Sequence, residues 1–335
     1  MVLSFPFSLG FGLLCVLGSL MSISSCHWLG VWLGLELNMI GFLPLMVQAS
    51  GSQAIESAVK YFIVQALGSS FLLLGGLSVG DYGVFWYMGS VFPSFTFFCV
   101  LGLLIKLGVS PFHWWVPSVM GGLGWFSCGV LITWQKLAPF FVLLGFSSSF
   151  LFLFLFFGFV SSVVGGFMGI GQVQLRFLLA YSSISHWGWV VALCCYSVVG
   201  SVSYFFFYYF LTVFIIYMLG GGGVARSSHV GGFYFFVLAV GFTSLGGLPP
   251  LTGFLPKWLG LQCFMFDGGG LVVAGLILGS LLSLYYYLTL VFVFFIGDSF
   301  SYNYDFYKFL SFSFGLCFVF FVMGFPFFEV LFFLL

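Results

Sequence analysis

The stretch that decides the fold is residues 106–117, Lys-Leu-Gly-Val-Ser-Pro-Phe-His-Trp-Trp-Val-Pro. It follows an apolar segment without charged side chains, and Pro111 breaks any helix shortly after Lys106. A charge deep in hydrocarbon costs about 2.5–3.5 kcal/mol, so it is retained where a partner or water stabilises it. The carbonyl groups that the proline leaves free must also face protein or water. A lysine beside a broken helix therefore predicts part of an ion path.

The composition defines the class of protein. The chain has 335 residues, of which 62% are hydrophobic and 4% are charged, whereas soluble domains have about 25% charged residues. Seven basic residues balance seven acidic ones, which leaves no basic surface for nucleic acid. We therefore predict an all-α membrane protein, a single polytopic domain over residues 1–335 that contacts the lipid bilayer.

Glycine, proline, serine and charged residues divide the chain into about eleven apolar segments, each long enough to form a transmembrane helix. The segments are 2–22, 27–48, 56–79, 91–114, 119–146, 149–171, 173–196, 201–222, 232–260, 271–297 and 309–333. We predict a first half over 27–146, a second half over 149–297 and a terminal helix over 309–333. Too few basic residues lie between the segments to set the membrane orientation.

A second broken helix is predicted at residues 246–258, Gly-Gly-Leu-Pro-Pro-Leu-Thr-Gly-Phe-Leu-Pro-Lys-Trp. Pro249 and Pro250 interrupt an apolar segment, and Lys257 follows them. Interrupted segments at corresponding positions of two halves point to inverted repeats around a site at the membrane midplane. We therefore expect two broken helices in a pair of inverted five-helix repeats, although the sequence shows no direct repetition.

Two further buried charges are candidates for the ion path. Glu36 lies in the middle of a predicted span, where it either bonds Asn38 for structural reasons or serves as the partner of Lys106. Lys136 has apolar residues on both sides, in Thr-Trp-Gln-Lys-Leu-Ala-Pro (133–139). Its ammonium group either reaches the membrane surface or stays buried, and a buried lysine can load and release a proton.

Lys60 and His186 are weaker candidates. Glu56 and Lys60 have the spacing and the order of a favourable helix ion pair, so an interfacial pair and a functional pair remain alternatives. His186 lies among hydroxyl side chains in Ala-Tyr-Ser-Ser-Ile-Ser-His-Trp-Gly-Trp (180–189). It either relays protons or bonds a neighbouring helix.

The eight cysteines form no Cys-x-x-Cys pair and lie mostly in apolar runs. We interpret them as small apolar core residues, because neither zinc nor iron–sulfur spacing is present. No glycine-rich phosphate loop follows a strand pattern. The sequence therefore predicts no metal site and no cofactor site.

Six sequence segments of this chain resemble, in the same order, segments of the chain 2 family of mitochondrial NADH–ubiquinone oxidoreductase. Members of that family are antiporter-like membrane subunits of respiratory complex I. Besides the three segments at 106–117, 133–139 and 246–258, the matching segments are Trp-Leu-Gly-Leu-Glu-Leu-Asn (32–38), Ala-Val-Lys-Tyr-Phe-Ile-Val-Gln-Ala (58–66) and Leu-Ala-Tyr-Ser-Ser-Ile-Ser-His-Trp-Gly-Trp (179–189). The resemblance covers roughly residues 27–260 and does not extend beyond hydrophobicity after residue 265.

The resemblance implies a site and a cellular setting. It implies proton translocation through Glu36, Lys106, Lys136 and Lys257, with Lys257 on the exit side. NADH, FMN, iron–sulfur clusters and ubiquinone are then expected in other subunits. The implied partners are the other membrane subunits of complex I and the lipids, including cardiolipin, of the mitochondrial inner membrane.

We predict from these observations a proton-translocating subunit of an NADH:ubiquinone reductase that carries no redox site of its own. Protons would pass among the four charged side chains along transient water chains. Two alternatives remain open. One is a stand-alone cation/proton antiporter subunit of the same superfamily, and the other is a structural scaffold whose charges only hold helices together.

Overall fold

The computed structural model describes residues 5–48, 51–78, 93–147, 149–221, 232–267 and 270–297. These ranges contain helices and no strand, which confirms the all-α prediction. The helices are α1 (Phe5–Ser24), α2 (Trp28–Val47), α3 (Ser52–Ser78), α4 (Pro93–Leu107), α5 (Trp115–Gly122), α6 (Trp125–Ile132), α7 (Trp134–Leu144), α8 (Leu151–Gly169), α9 (Leu175–Leu193), α10 (Val198–Gly221), α11 (Gly232–Gly246), α12 (Phe254–Asp267) and α13 (Gly270–Gly297).

Seven helical stretches of the described ranges are long and apolar enough to cross a membrane. They are Phe7–Ser24, Trp28–Val47, Ser52–Leu77, Trp125–Leu144, Leu151–Gly169, Val198–Gly220 and Gly270–Val293. Two shorter apolar stretches, Thr96–Leu107 and Phe236–Gly246, belong to the helices that stop at the predicted breaks. The predicted number of eleven spans is not confirmed. The predicted terminal helix, 309–333, lies outside the described residues.

The chain divides into two compact units. Unit 1 comprises Met1–Phe157 and Val173–Ile184, and unit 2 comprises Gly158–Gln172 and Ser185–Leu335. Unit 1 therefore contains α1–α7, unit 2 contains α10–α13, and α8 and α9 each contribute to both. The predicted halves and their inverted relationship stay predictions.

Small residues allow helices within each unit to touch through their backbones. A Cβ atom added at Gly34 would lie 2.5 Å from the backbone nitrogen of Ser22, so α1 and α2 have no room for larger side chains there. In unit 2, a Cβ atom at Gly166 would lie 2.8 Å from the carbonyl oxygen of Gly279, where α8 crosses α13. Such contacts are typical of membrane helices, because lipid supplies no hydrophobic force between helices and close packing replaces it.

The predicted segments 91–114 and 119–146 need correction. The helix of the fourth predicted segment ends at Leu107, and Trp115–Gly122 is the separate helix α5. The fifth predicted segment therefore begins as a helix of its own only at Trp125. A third interruption, which the sequence did not predict, separates α6 from α7 at Thr133, where φ is −105° and ψ is −76°. The Thr133 hydroxyl donates a 2.6 Å hydrogen bond to the Gly129 carbonyl. Such bonds from a side chain to the preceding turn bend helices.

Candidate proton-path site

The first predicted break is confirmed between Leu107, the last residue of α4, and Trp115, the first residue of α5. Gly108 ends the helix in a left-handed conformation with φ 71°. The Gly108 amide donates to the Ile105 carbonyl at 3.1 Å, and the Val109 amide donates to the Leu104 carbonyl at 3.2 Å. This pair of bonds is the Schellman helix end, which glycine favours.

The second predicted break, between Gly246 of α11 and Phe254 of α12, has the same construction. Gly247 has φ 79°, and its amide donates to the Ser244 carbonyl at 2.9 Å. The Leu248 amide donates to the Thr243 carbonyl at 3.4 Å. Both breaks are therefore glycine-terminated helix ends, and the prolines follow them: Pro111 after the first, and Pro249 and Pro250 after the second.

The first break places Lys106 beside Glu36. Lys106 lies in the last turn of α4, and its Nζ is 3.8 Å from Oε1 of Glu36 on α2. The exposed fraction of the side chain is 2% for Lys106 and 16% for Glu36. The predicted proximity of the two residues is confirmed. Asn38 has a different partner, since its side-chain oxygen accepts a hydrogen bond from Gln135.

Neighbouring side chains satisfy the carbonyl groups at the end of α4. The Trp115 indole donates a 3.1 Å hydrogen bond to the Ile105 carbonyl, and the Gln65 amide donates to the Lys106 carbonyl at 3.5 Å. Gly68 of α3 leaves room for the lysine stem, because a Cβ atom there would lie 2.9 Å from Cγ of Lys106. The prediction that protein covers the freed carbonyls is confirmed for these two.

Lys257 lies in α12 and reaches back across the second break. Its Nζ donates a 2.8 Å hydrogen bond to the carbonyl of Gly246, the last residue of α11. A Cβ atom at Gly247 would lie 2.8 Å from the same Nζ, so glycine leaves the space that the ammonium group occupies. The carbonyl end of a helix carries partial negative charge, which stabilises a buried cation.

Lys136 lies in the first turn of α7, directly after the interruption at Thr133. It is 1% exposed, which excludes the interpretation that it reaches the membrane surface. Its Nζ donates to the Ser183 hydroxyl at 3.4 Å, and that hydroxyl donates in turn to the Ala180 carbonyl at 2.7 Å. The acceptor of this hydrogen bond from the ammonium group is therefore a neutral hydroxyl oxygen.

A buried network of neutral side chains lies next to these charges and was missed from the sequence. Gln135 donates from Nε2 to the Asn38 side-chain oxygen at 3.0 Å, and its Oε1 accepts from the Tyr61 hydroxyl at 3.1 Å. All three side chains are buried. The sequence signal was a glutamine and an asparagine inside apolar spans, each close to a predicted site residue.

The structure places the weaker candidates as follows. Lys60 Nζ lies 2.6 Å from Oε1 of Glu56, and both side chains are largely exposed, which fits a surface helix pair. His186 is buried, and its Nδ1 lies 2.9 Å from the Tyr204 hydroxyl on α10, which confirms a bond to a neighbouring helix. Glu36, Lys106 and Lys136 thus belong to unit 1, whereas Lys257 and His186 belong to unit 2.

Buried lysines at glycine-terminated helix breaks, on an all-helical apolar chain, define the class of antiporter-like membrane subunits. A family model described as "NADH:quinone oxidoreductase/Mrp antiporter, TM" matches residues 25–283. Curated relatives named "NADH-ubiquinone oxidoreductase chain 2" include that of Megaderma spasma, 43% identical over 83% of this chain and 82% of the relative. That of Branchiostoma lanceolatum is 39% identical over 83% of each chain. The chain therefore belongs to the NADH-ubiquinone oxidoreductase chain 2 family and is a multi-pass membrane protein.

Solved structures share the fold. A chain of respiratory complex I from Thermus thermophilus has a TM-score of 0.73 and 24% identity over 91% of this chain and 73% of its own length. A chain of the archaeal membrane-bound sulfane sulfur reductase has a TM-score of 0.82 and 18% identity, over 95% and 73% respectively. A chain of the Mrp complex from Dietzia has a TM-score of 0.75 and 17% identity. The match covers 83% of the present chain and 58% of the Dietzia chain.

Proposed function

We propose that this chain is a proton-translocating subunit of respiratory complex I and that protons pass through Glu36, Lys106, Lys136 and Lys257. Membership of the chain 2 family supports the assignment to complex I. The observation that carries the proton path is the Glu36–Lys106 pair, in which a buried lysine at a helix break meets a partly buried glutamate. A purely structural pair needs no break, whereas a path for ions needs polar backbone and side chains inside the membrane.

The partners of the lysines suit proton exchange. The 3.8 Å separation of Lys106 and Glu36 is longer than a direct hydrogen bond, so the pair is electrostatically coupled but not locked. Lys136 donates to a hydroxyl and Lys257 to a backbone carbonyl, and both acceptors are neutral. A lysine can release its proton, and its neighbour then takes the proton up; arginine stays protonated in proteins.

We place the redox chemistry outside this chain. In this proposal NADH, FMN, the iron–sulfur clusters and ubiquinone bind other subunits, and the energy of quinone reduction reaches the charged residues through the membrane subunits. The partners are those membrane subunits and the lipids of the mitochondrial inner membrane, including cardiolipin. The family of the relatives supports the complex, and the chain's own sequence lacks a phosphate loop and metal-ligand spacing.

Substitution of Lys136 tests the proposal in the assembled complex. Lys136→Met keeps an apolar stem and removes the proton, so assembly on native gels should stay normal while proton flux coupled to quinone reduction falls. Lys136→Arg should also lower the flux, because guanidinium cannot release its proton. A scaffold role gives the reverse order, with arginine tolerated and methionine harmful to assembly. Full flux in the arginine variant would exclude proton release from Lys136.

A further inference from the structure

Three helix ends of unit 1 meet around Arg176, near the start of α9. The Arg176 guanidinium donates a 3.3 Å hydrogen bond from Nη1 to the carbonyl of Gly121, in the last turn of α5. It also lies over the ring of Trp125, the first residue of α6, with 5.1 Å between Cζ and the ring centroid. Two other helices therefore hold the guanidinium group in place.

The position of Arg176 is at an end of the helices of unit 1. The end of α5 also touches the start of α3, because a Cβ atom at Gly122 would lie 2.5 Å from the carbonyl oxygen of Gln53. Just before α9, Val173 in the connection from α8 is 94% exposed. Irregular backbone that faces lipid does not occur within the hydrocarbon region of a bilayer. These helix ends therefore lie at the level of the lipid headgroups.

The charge of Arg176 is not paired with a carboxylate of the described ranges. The carboxylates of Glu36 and Glu56 lie beside lysines instead, Lys106 and Lys60. A guanidinium group carries its N–H donors in one plane, and the described residues accept one hydrogen bond from Arg176. Stacking on an indole occupies the face of the group and leaves the in-plane donors for an acceptor. An anion with two or more oxygen atoms matches these donors.

The phosphate group of a phospholipid fits this position. Phosphate oxygens bind guanidinium groups through two parallel hydrogen bonds, and tryptophan side chains concentrate at the headgroup level. Phe126, the residue after Trp125, is 70% exposed, so an apolar surface for an acyl chain lies beside the cation. That surface favours a lipid over free phosphate. A zwitterionic headgroup would also need a carboxylate for its positive group, so the charge of Arg176 favours an anionic lipid.

We propose that Arg176, stacked on Trp125, binds the phosphate group of an anionic phospholipid, whose acyl chain lies along Phe126. The bound headgroup then lies where the end of α5 meets the starts of α6 and α9. The proposal does not depend on the proton path, because lipid binding is measured without turnover of the complex.

The test titrates the assembled complex, in phosphatidylcholine micelles, with phosphatidylglycerol and determines its structure at each lipid fraction. A lipid phosphate should lie within about 3.2 Å of two guanidinium nitrogens of Arg176. Arg176→Gln should raise the phosphatidylglycerol fraction for half occupancy about tenfold or more, because hydrogen bonds to charged groups are lost. Arg176→Lys should have an intermediate effect, since an ammonium group keeps the charge without the planar fork.

Lys60→Gln is the matched control. Lys60 lies near the same end of unit 1, in the third turn of α3, and its ammonium group is already paired with Glu56 at 2.6 Å. Loss of this basic residue should therefore leave lipid occupancy at Arg176 unchanged. Inorganic phosphate added to the complex in phosphatidylcholine alone should not occupy the position, because it lacks the acyl chain.

The denaturation midpoint separates lipid binding from a purely structural role. If Arg176 only caps α5, Arg176→Gln lowers the midpoint equally with and without phosphatidylglycerol, and the proposal is wrong. A lipid site requires that phosphatidylglycerol raise the midpoint of the unsubstituted complex more than that of the variant. Should Arg176→Gln fail to assemble, Arg176→Lys provides the same comparison. A carboxylate of another subunit against Arg176, free phosphate in its place, or an equal loss of occupancy in Lys60→Gln also overturns the proposal.

Discussion

The two members of the Glu36–Lys106 pair should respond differently to substitution. At the 3.8 Å separation, their Coulomb attraction is about 4 kcal/mol at an effective dielectric constant of about 20. Removing one partner of a buried pair costs about 3–5 kcal/mol, because the other charge stays buried and uncompensated. Glu36→Gln leaves the ammonium group of Lys106, whose side chain is 2% exposed, without its partner. Lys106→Met leaves the carboxylate of Glu36, whose side chain is 16% exposed. Glu36→Gln should therefore be the more destabilising change.

The assay is a double-mutant cycle on the purified complex. We expect the thermal denaturation midpoint to be lowest for Glu36→Gln, higher for Lys106→Met, and restored toward the unsubstituted value in the double variant, which lacks both charges of the pair. Proton flux should be low in all three variants, because each lacks a titrating group of the path. The argument fails if the double variant is less stable than Glu36→Gln, since the lysine would then not depend on the glutamate.

Two further predictions use matched controls. Gly247→Ala should cost about 1–2 kcal/mol for its left-handed backbone and should also lower proton flux, because the new methyl group occupies the position of the Lys257 ammonium group. Gly171 has a similar φ of 85° with open space around it, so Gly171→Ala should lower stability by a similar amount while proton flux is retained. Equal flux in the two variants would exclude a role for the Gly246–Gly247 helix end. Gln135→Leu should destabilise the protein by about 1–3 kcal/mol for each buried group left without its hydrogen bond, measured as a lower denaturation midpoint. Gln174→Leu, at an exposed position, should change the midpoint little, and an equal effect of the two would argue against the buried network.

The features that the sequence predicted correctly are those whose cost in a membrane is high and local. A proline in an apolar segment removes a backbone hydrogen bond, which is why the breaks before Pro111 and Pro249 were predicted. Proline alone does not decide a break, because α7 continues through Pro139. A lone charge in hydrocarbon needs a partner, and Glu36 and Lys106 are charges of opposite sign inside the second and fourth predicted spans. Their contact at 3.8 Å follows from that scarcity of charge.

The features that the sequence did not predict depend on distant neutral partners. Gln135 and Asn38 are far apart in the chain, and an amide inside an apolar segment indicates that a partner exists without identifying it. The interruption at Thr133 could not be predicted from the residue type, because Thr212 donates the same bond to the preceding turn inside the continuous helix α10.

The two broken helices place lysines on opposite sides of their prolines in the sequence, and the structure explains why both orders give an equivalent environment. The helix end that carries partial negative charge is set by the glycine, Gly108 or Gly247, and not by the proline. Lys106 lies within the last turn before its glycine, and Lys257 reaches the last carbonyl from beyond it. Each break thus combines a helix C-terminus with a buried ammonium group. At Lys106 the Glu36 carboxylate is added to this environment, whereas the acceptor seen for Lys257 among the described residues is a backbone carbonyl.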